Sequence, residues 1–103
     1  MKLGIVITDE GHLSLTKQLF DAAVGRGWEA FCFLTDTGVN LLADEDFVRR
    51  AKIHPNHVSL CEHSAQRHAQ GRYDLGVMSS YVVVGGQYQD AELVYNCDRV
   101  MVL

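Results

Sequence analysis

Strand-length apolar runs alternate with helix-length segments along this chain, and that alternation constrains its fold more than any other feature. Leu3-Gly4-Ile5-Val6-Ile7 is almost continuously apolar, as a parallel strand covered on both faces must be. Leu13 to Val24 follows, with Leu15, Leu19, Phe20, Ala23 and Val24 at helical spacing, and Gly25 and Gly27 available to end the helix. Glu29 to Leu34 reads as the second strand, and the polar turn Thr35-Asp36-Thr37-Gly38 leads into Val39-Asn40-Leu41-Leu42-Ala43. Asp44-Glu45-Asp46 places acid at a helix start, with Phe47, Val48 and Ala51 as its apolar side. His54-Pro55-Asn56 breaks that helix, and the third strand runs from His57 to Leu60.

A helix is expected from about Glu62 to Gln70, stopping at Gly71. Leu75 to Met78 has the length and character of a short strand, whereas Tyr81 to Val84, between a serine pair and a glycine pair, reads as a loop or short extended piece. Tyr88, Ala91, Glu92 and Tyr95 mark a last helix, and Arg99 to Leu103 a closing strand. The order predicts one domain over residues 1–103: an α/β sandwich with a mostly parallel sheet. In such sheets ligands bind beyond the carboxyl ends of the strands. That edge is expected to collect Thr8 to His12, Thr35 to Gly38, Cys61 to Ser64 and Ser79 to Tyr81.

Cys61 closes the third strand's apolar run and opens a helix-compatible one. A thiol at such a junction lies near unpaired backbone N–H groups, which favour the nucleophilic thiolate. The competing reading is a small buried hydrophobe at a strand end. Cys32, inside Phe31-Cys32-Phe33-Leu34, and Cys97, at the end of the last helix, read as structural. Three cysteines at wide spacing, with no Cys-x-x-Cys pair, do not form a disulfide framework and fit an intracellular protein.

Other chemistries find little support. Net charge is −4 with no basic run, which argues against nucleic acid as a partner. No apolar run is long enough for a membrane span and no leader pattern is present, so a cytoplasmic location is expected. Five histidines raise the question of a metal, but His57 would lie at the opposite strand end from Cys61, roughly 13 Å away. His63 and His68 do not share a helix face, and His54 and His57 flank a turn expected in solvent, so neither metal nor cofactor is expected. Thr8-Asp9-Glu10-Gly11 lacks the glycine pattern of a nucleotide loop, and Ser79-Ser80 lacks that of a serine nucleophile. His12, on the loop after the first strand, is a candidate for proton transfer or anion binding, set against simple solvation. Tyr81, Tyr88 and Val82 to Val84 read as packing or, if exposed, as a subunit interface.

The order of segments resembles the DsrE/DsrF-like (YchN-like, TusD-related) sulfur-relay family. The resemblance is carried by Phe33-Leu34-Thr35-Asp36-Thr37-Gly38-Val39 after strand two, by Cys61 followed by a helix bearing Arg67, and by the tail from Gly86-Gln87-Tyr88 to Asp98-Arg99-Val100-Met101-Val102-Leu103. It implies a three-layer sandwich with a five-stranded sheet and assembly into homotrimers or hexamers. It also implies persulfide carriage on Cys61, between sulfur-donor and sulfur-acceptor proteins. His63, His12 and Arg67 are secondary candidates for tuning the thiol or contacting a partner. The sulfur-carrying members tend to have small apolar residues after the cysteine. Here Glu62-His63-Ser64 follows, and Glu62 opposes thiolate formation where a protonated His63 would offset it. The alternatives are an oligomeric binding module of the same fold without sulfur transfer, and a thiol peroxidase or other redox enzyme lacking an evident resolving cysteine.

Overall fold

The computed structural model describes residues 1–103. Its strands are β1 (Lys2–Ile7), β2 (Glu29–Leu34), β3 (Val58–Cys61), β4 (Val82–Gly85) and β5 (Arg99–Val102). The α-helices are α1 (Leu13–Gly25), α2 (Glu45–Ile53), α3 (Glu62–His68), α4 (Leu75–Met78) and α5 (Gln87–Asn96), with 3-10 segments at Glu10–His12 and Asp36–Ala43. All pairings are parallel, in the order β4-β3-β2-β1-β5. The fold is thus an α/β three-layer sandwich with a five-stranded, wholly parallel sheet. No helix is long and apolar enough to cross a membrane.

The two faces of the sheet are filled unequally. Alternation along β1 and β2 sends Leu3, Ile5, Ile7, Ala30, Cys32 and Leu34 into a main core of 18 buried residues, together with Phe20, Phe47 and the 3-10 residues Val39, Leu41 and Leu42. The opposite face holds a cluster of only four buried residues, Val6, Phe33, Cys61 and Leu93. Chain direction explains the difference. From β1 to β4 the chain steps outward strand by strand, and its helices pack on one face. α5 then reverses direction to reach the far side of β1, and a right-handed crossover in the reverse direction must use the other face. Gly4 permits α5 to lie close, because a Cβ there would stand 2.6 Å from Leu93 Cδ2 and 3.0 Å from Cys97 Sγ.

Several elements differ from the sequence expectation. Leu75–Met78 is a helical turn, capped by Asp74, whose carboxylate accepts a hydrogen bond from Val77 N at 3.3 Å. Of the two readings of Tyr81 to Val84, a loop or a short extended piece, the structure has the second: Val82–Gly85 is β4, pairing with β3 in register Val58↔Val82 to Cys61↔Gly85, and Asn56 N donates to Tyr81 O at 2.8 Å to align the strand starts. Tertiary pairing decides both cases. In α1 the buried stripe is Thr16, Phe20 and Ala23, while Leu15 and Val24 are exposed. Thr16 tolerates burial because its hydroxyl donates to His12 O, four residues back, at 2.7 Å. Gly27 takes φ 78 in the turn that follows α1.

α2 is fixed by charge as well as by Phe47 and Ala51. Asp44 caps it, accepting from Phe47 N at 2.9 Å. Arg50 donates to both carboxylate oxygens of Asp21, at 2.8 and 2.6 Å, and to Asp46 at 2.9 Å. These contacts with Arg50 hold the carboxyls of Asp21 and Asp46 below their ordinary range. A depressed carboxyl pKa contributes stability above the unfolded value of about 4, and that contribution is lost as pH falls through the lower folded value. The urea midpoint is therefore expected to fall below about pH 4, and Arg50→Met should flatten this acid limb relative to wild type. Equal slopes in the two proteins would contradict this assignment.

Candidate active site

The carboxyl edge of the sheet is built from three turns that hold one another. β1 runs into Thr8, whose backbone N and side-chain hydroxyl both donate to Leu103 O, at 2.7 and 2.8 Å. This closes the crevice between β1 and β5, the switch point where such sheets often admit a ligand. Asp9 then accepts from Gly11 N at 2.7 Å, and Glu10 N donates to Thr37 Oγ1 at 3.2 Å, tying the first turn to the second. In the second turn Asp36 adopts φ 48, and its backbone N donates to Ser64 Oγ at 3.0 Å. Ser64 is buried on α3 and also lies 3.3 Å from Thr35 Oγ1, so it bonds the second turn to the third. Gly38 is buried against the backbone carbonyl of Ile7, where a Cβ would overlap the oxygen.

Cys61 ends β3 at this edge, directly beside Gly85 of β4. It lies in the α5-side cluster with Val6, Phe33 and Leu93, while its own helix α3 departs to the main-core face through Ala65. The residue retains 8% exposure. The three thiols are placed differently. Cys32 is fully buried, and burial pushes its pKa up to about 12. Cys97 is half-buried at the carboxyl end of α5, and burial also raises its thiol against the opposing pull of Lys2. Cys61 alone stands at the edge where the loops gather.

None of the other candidates hydrogen-bonds to that thiol. His12 precedes α1 on the main-core side, with β2 between β1 and β3, so about 10 Å of sheet separates the two strand ends. His63 and Arg67 lie four apart on α3, form one exposed stripe, and make no hydrogen bond to Cys61. Glu62 is exposed on the same helix. Ser79 to Tyr81, expected at this edge, lie instead at the amino edge where β4 begins, and Gly85-Gly86 take their place. No three His, Cys, Asp or Glu side chains converge as a metal site would require.

A second feature was not anticipated. A cleft of about 330 Å³ opens beside α5 over the amino-terminal half of β2 to β4, with Phe31 and Val83 on its floor and His57, Ser59, Glu92 and Asn96 on its walls. His57 is half-buried rather than solvated. Its ring stacks on Phe31 at 4.3 Å, and its Nδ1 lies 3.0 Å from Ala30 O, which as an acceptor assigns the hydrogen to Nδ1. His54 is likewise half-buried, edge-on to Phe20 at 5.4 Å. The signal was the i, i+2 spacing of His57, Ser59 and Cys61, which sets all three on one face of β3. Comparison of the chain with family models, with curated proteins and with solved structures finds no match.

Proposed function

We propose that the protein is a sulfur carrier whose working group is Cys61. The observation that carries this reading is the placement of a cysteine, buried at 8% exposure, at the carboxyl edge of a parallel sheet, between turns locked by Ser64 and Thr37. The Cys61 thiolate attacks the outer sulfur of a donor persulfide. A new S–S bond forms, the donor's S–S bond breaks, and the electron pair leaves with the donor thiolate. An acceptor thiolate later removes the outer sulfur in the same way and returns Cys61 to its thiolate. Donor and acceptor proteins, a homotrimeric or hexameric assembly and a cytoplasmic setting belong to this proposal. In it the half-buried His12 and the exposed His63 and Arg67 serve the partner-facing rim rather than the thiol itself.

Incubation with a low-molecular-weight persulfide should add one sulfur, about 32 Da, to the intact chain. Cys61→Ser should abolish the adduct while Cys32→Ser and Cys97→Ser retain it, read by mass spectrometry under native conditions. The packing of Cys61 among Val6, Phe33 and Leu93 favours a second reading, a binding module in which the thiol is structural. An unmodified wild-type mass would establish that reading in place of the first.

A further inference from the structure

A second cleft, of about 530 Å³, opens on the main-core face between α2 and the segment from Arg72 to Tyr81. One wall is a stripe of α2, where Glu45, Val48, Arg49 and Lys52 recur at the spacing of a single helix face. The other wall is pinned by hydrogen bonds. Tyr73 Oη donates to Val39 O at 2.7 Å, Tyr81 N donates to Met78 O at 3.0 Å, and Tyr81 O accepts from Asn56 N at 2.8 Å. Leu42 is buried at the floor, while Val48, Tyr73, Met78 and Tyr81 pack against the same core and stay half-buried. This is the make-up of a small-molecule site: a preformed apolar hollow with a few charged groups at its rim.

Charge indicates what fits this cleft. The chain has nine Lys and Arg against thirteen Asp and Glu, yet three of the former and only one of the latter line it, a local charge of +2. Lys52 makes no salt bridge, and its Nζ lies 5.7 Å over the Tyr81 ring. Arg49 touches Asp46 at 3.1 Å and Arg72 touches Glu10 at 4.0 Å, but both guanidiniums are more than half-exposed, where such pairs are weak. Each keeps further N–H donors for an incoming anion. Lys17 and Arg50, by contrast, each contact two carboxylates. A charge of +2 matches a phosphate monoester, which carries about −1.5 to −2 at neutral pH, better than it matches a carboxylate. The two tyrosine rings and the Met78 thioether favour a flat, polarizable body.

We propose that this cleft binds a small aromatic phosphate monoester. The phosphate sits among Arg49, Lys52 and Arg72, and the ring lies against Val48, Met78 and Tyr81. Cys61 belongs to the cluster on the other face of the sheet, so the site does not depend on its chemistry.

Titration of the full chain with α-naphthyl phosphate, followed by two-dimensional amide NMR, tests this. Saturable shifts centred on residues 42–52 and 72–81 are expected, with a Kd below about 1 mM, modest for a ligand of this size. α-Naphthol lacks the charge, α-naphthoate carries one charge fewer, and inorganic phosphate lacks the ring, so each should bind at least about fivefold more weakly. Lys52→Gln and Arg72→Gln should each weaken the ester at least about threefold. Glu45→Gln, which removes the one acid of the cleft, should tighten it. Arg26→Gln, at the far end of α1 over the Trp28 ring, should leave it unchanged. A titration that does not saturate overturns the proposal, and so do shifts that saturate elsewhere on the chain. Any of the three simpler compounds binding as tightly as the ester overturns it, as does equal weakening by Arg26→Gln and Lys52→Gln.

Discussion

Gly38→Ala is expected to lower the unfolding free energy by about 3 kcal/mol or more, the upper range for forcing extra volume into a packed interior. The added methyl would meet the backbone oxygen of Ile7 rather than the movable tip of a side chain. That oxygen is held in place, because it accepts from Thr35 N at 3.0 Å and Ile7 pairs with Leu34 in the sheet. Gly38 N in turn donates to Thr35 O at 2.9 Å, so the 3-10 segment cannot swing away without breaking its own first turn. Relief therefore requires the segment to separate from the end of β1, carrying Val39, Leu41 and Leu42 out of the core. Gly25→Ala provides the control of opposite sign: nothing lies within 4 Å of a Cβ there, and the residue is helical. It should stabilise by up to about 1 kcal/mol through helix propensity. Urea midpoints of the two variants should move in opposite directions, and an unchanged midpoint for Gly38→Ala would refute the close-approach assignment.

The carboxyl edge could be read from sequence because its parts are local. Apolar runs ending at Ile7, Leu34 and Leu60 fix where three strands stop, and parallel order puts those stops on one side. Cys61 follows from that logic with no knowledge of its neighbours. The fourth strand was not legible in the same way. Leu75–Met78 and Val82–Gly85 are both short and apolar, and the choice between them rests on pairing with β3 and on the Asp74 cap, a contest between local propensity and long-range registry. Misplacing β4 carried Ser79 to Tyr81 to the wrong edge.

The environment of the thiol was not legible because it depends on α5, a helix more than twenty residues further along the chain. Which face α5 covers follows from the reversal of strand order after β4, a property of topology rather than of any local motif. The same reversal leaves Tyr88 and Tyr95 outward and creates the cleft at His57, so one missed strand obscured both the apolar lid over Cys61 and the exposed face beyond it. His12 lies two strands from Cys61 at the same edge, and His63 and Arg67 follow it on α3, yet none of the three hydrogen-bonds to the thiol, which faces the α5 side while α3 packs on the main core through Ala65.

Leu93→Ala tests whether α5 is that lid. Leu93 is 7% exposed and is the α5 residue in the small buried cluster that also holds Val6, Phe33 and Cys61, so its truncation should cost about 2–4 kcal/mol in urea unfolding. The loss falls on a layer held by few buried residues, and α5 should open locally before the main core does. Cys61 is then expected to react with iodoacetamide under native conditions at least about tenfold faster than in wild type, the rate change equivalent to roughly 1.4 kcal/mol of easier opening. Cys32 serves as the internal reporter, since it is fully buried on the main-core face and burial holds its thiol at about 12. Faster labelling of Cys61 with Cys32 still protected identifies local movement of α5. Parallel labelling of both would mean global unfolding, and an unchanged Cys61 rate in a destabilised variant would mean that α5 does not govern access. Only the first outcome leaves a sulfur carrier with a built-in cover, one that a docking protein must displace to reach the persulfide.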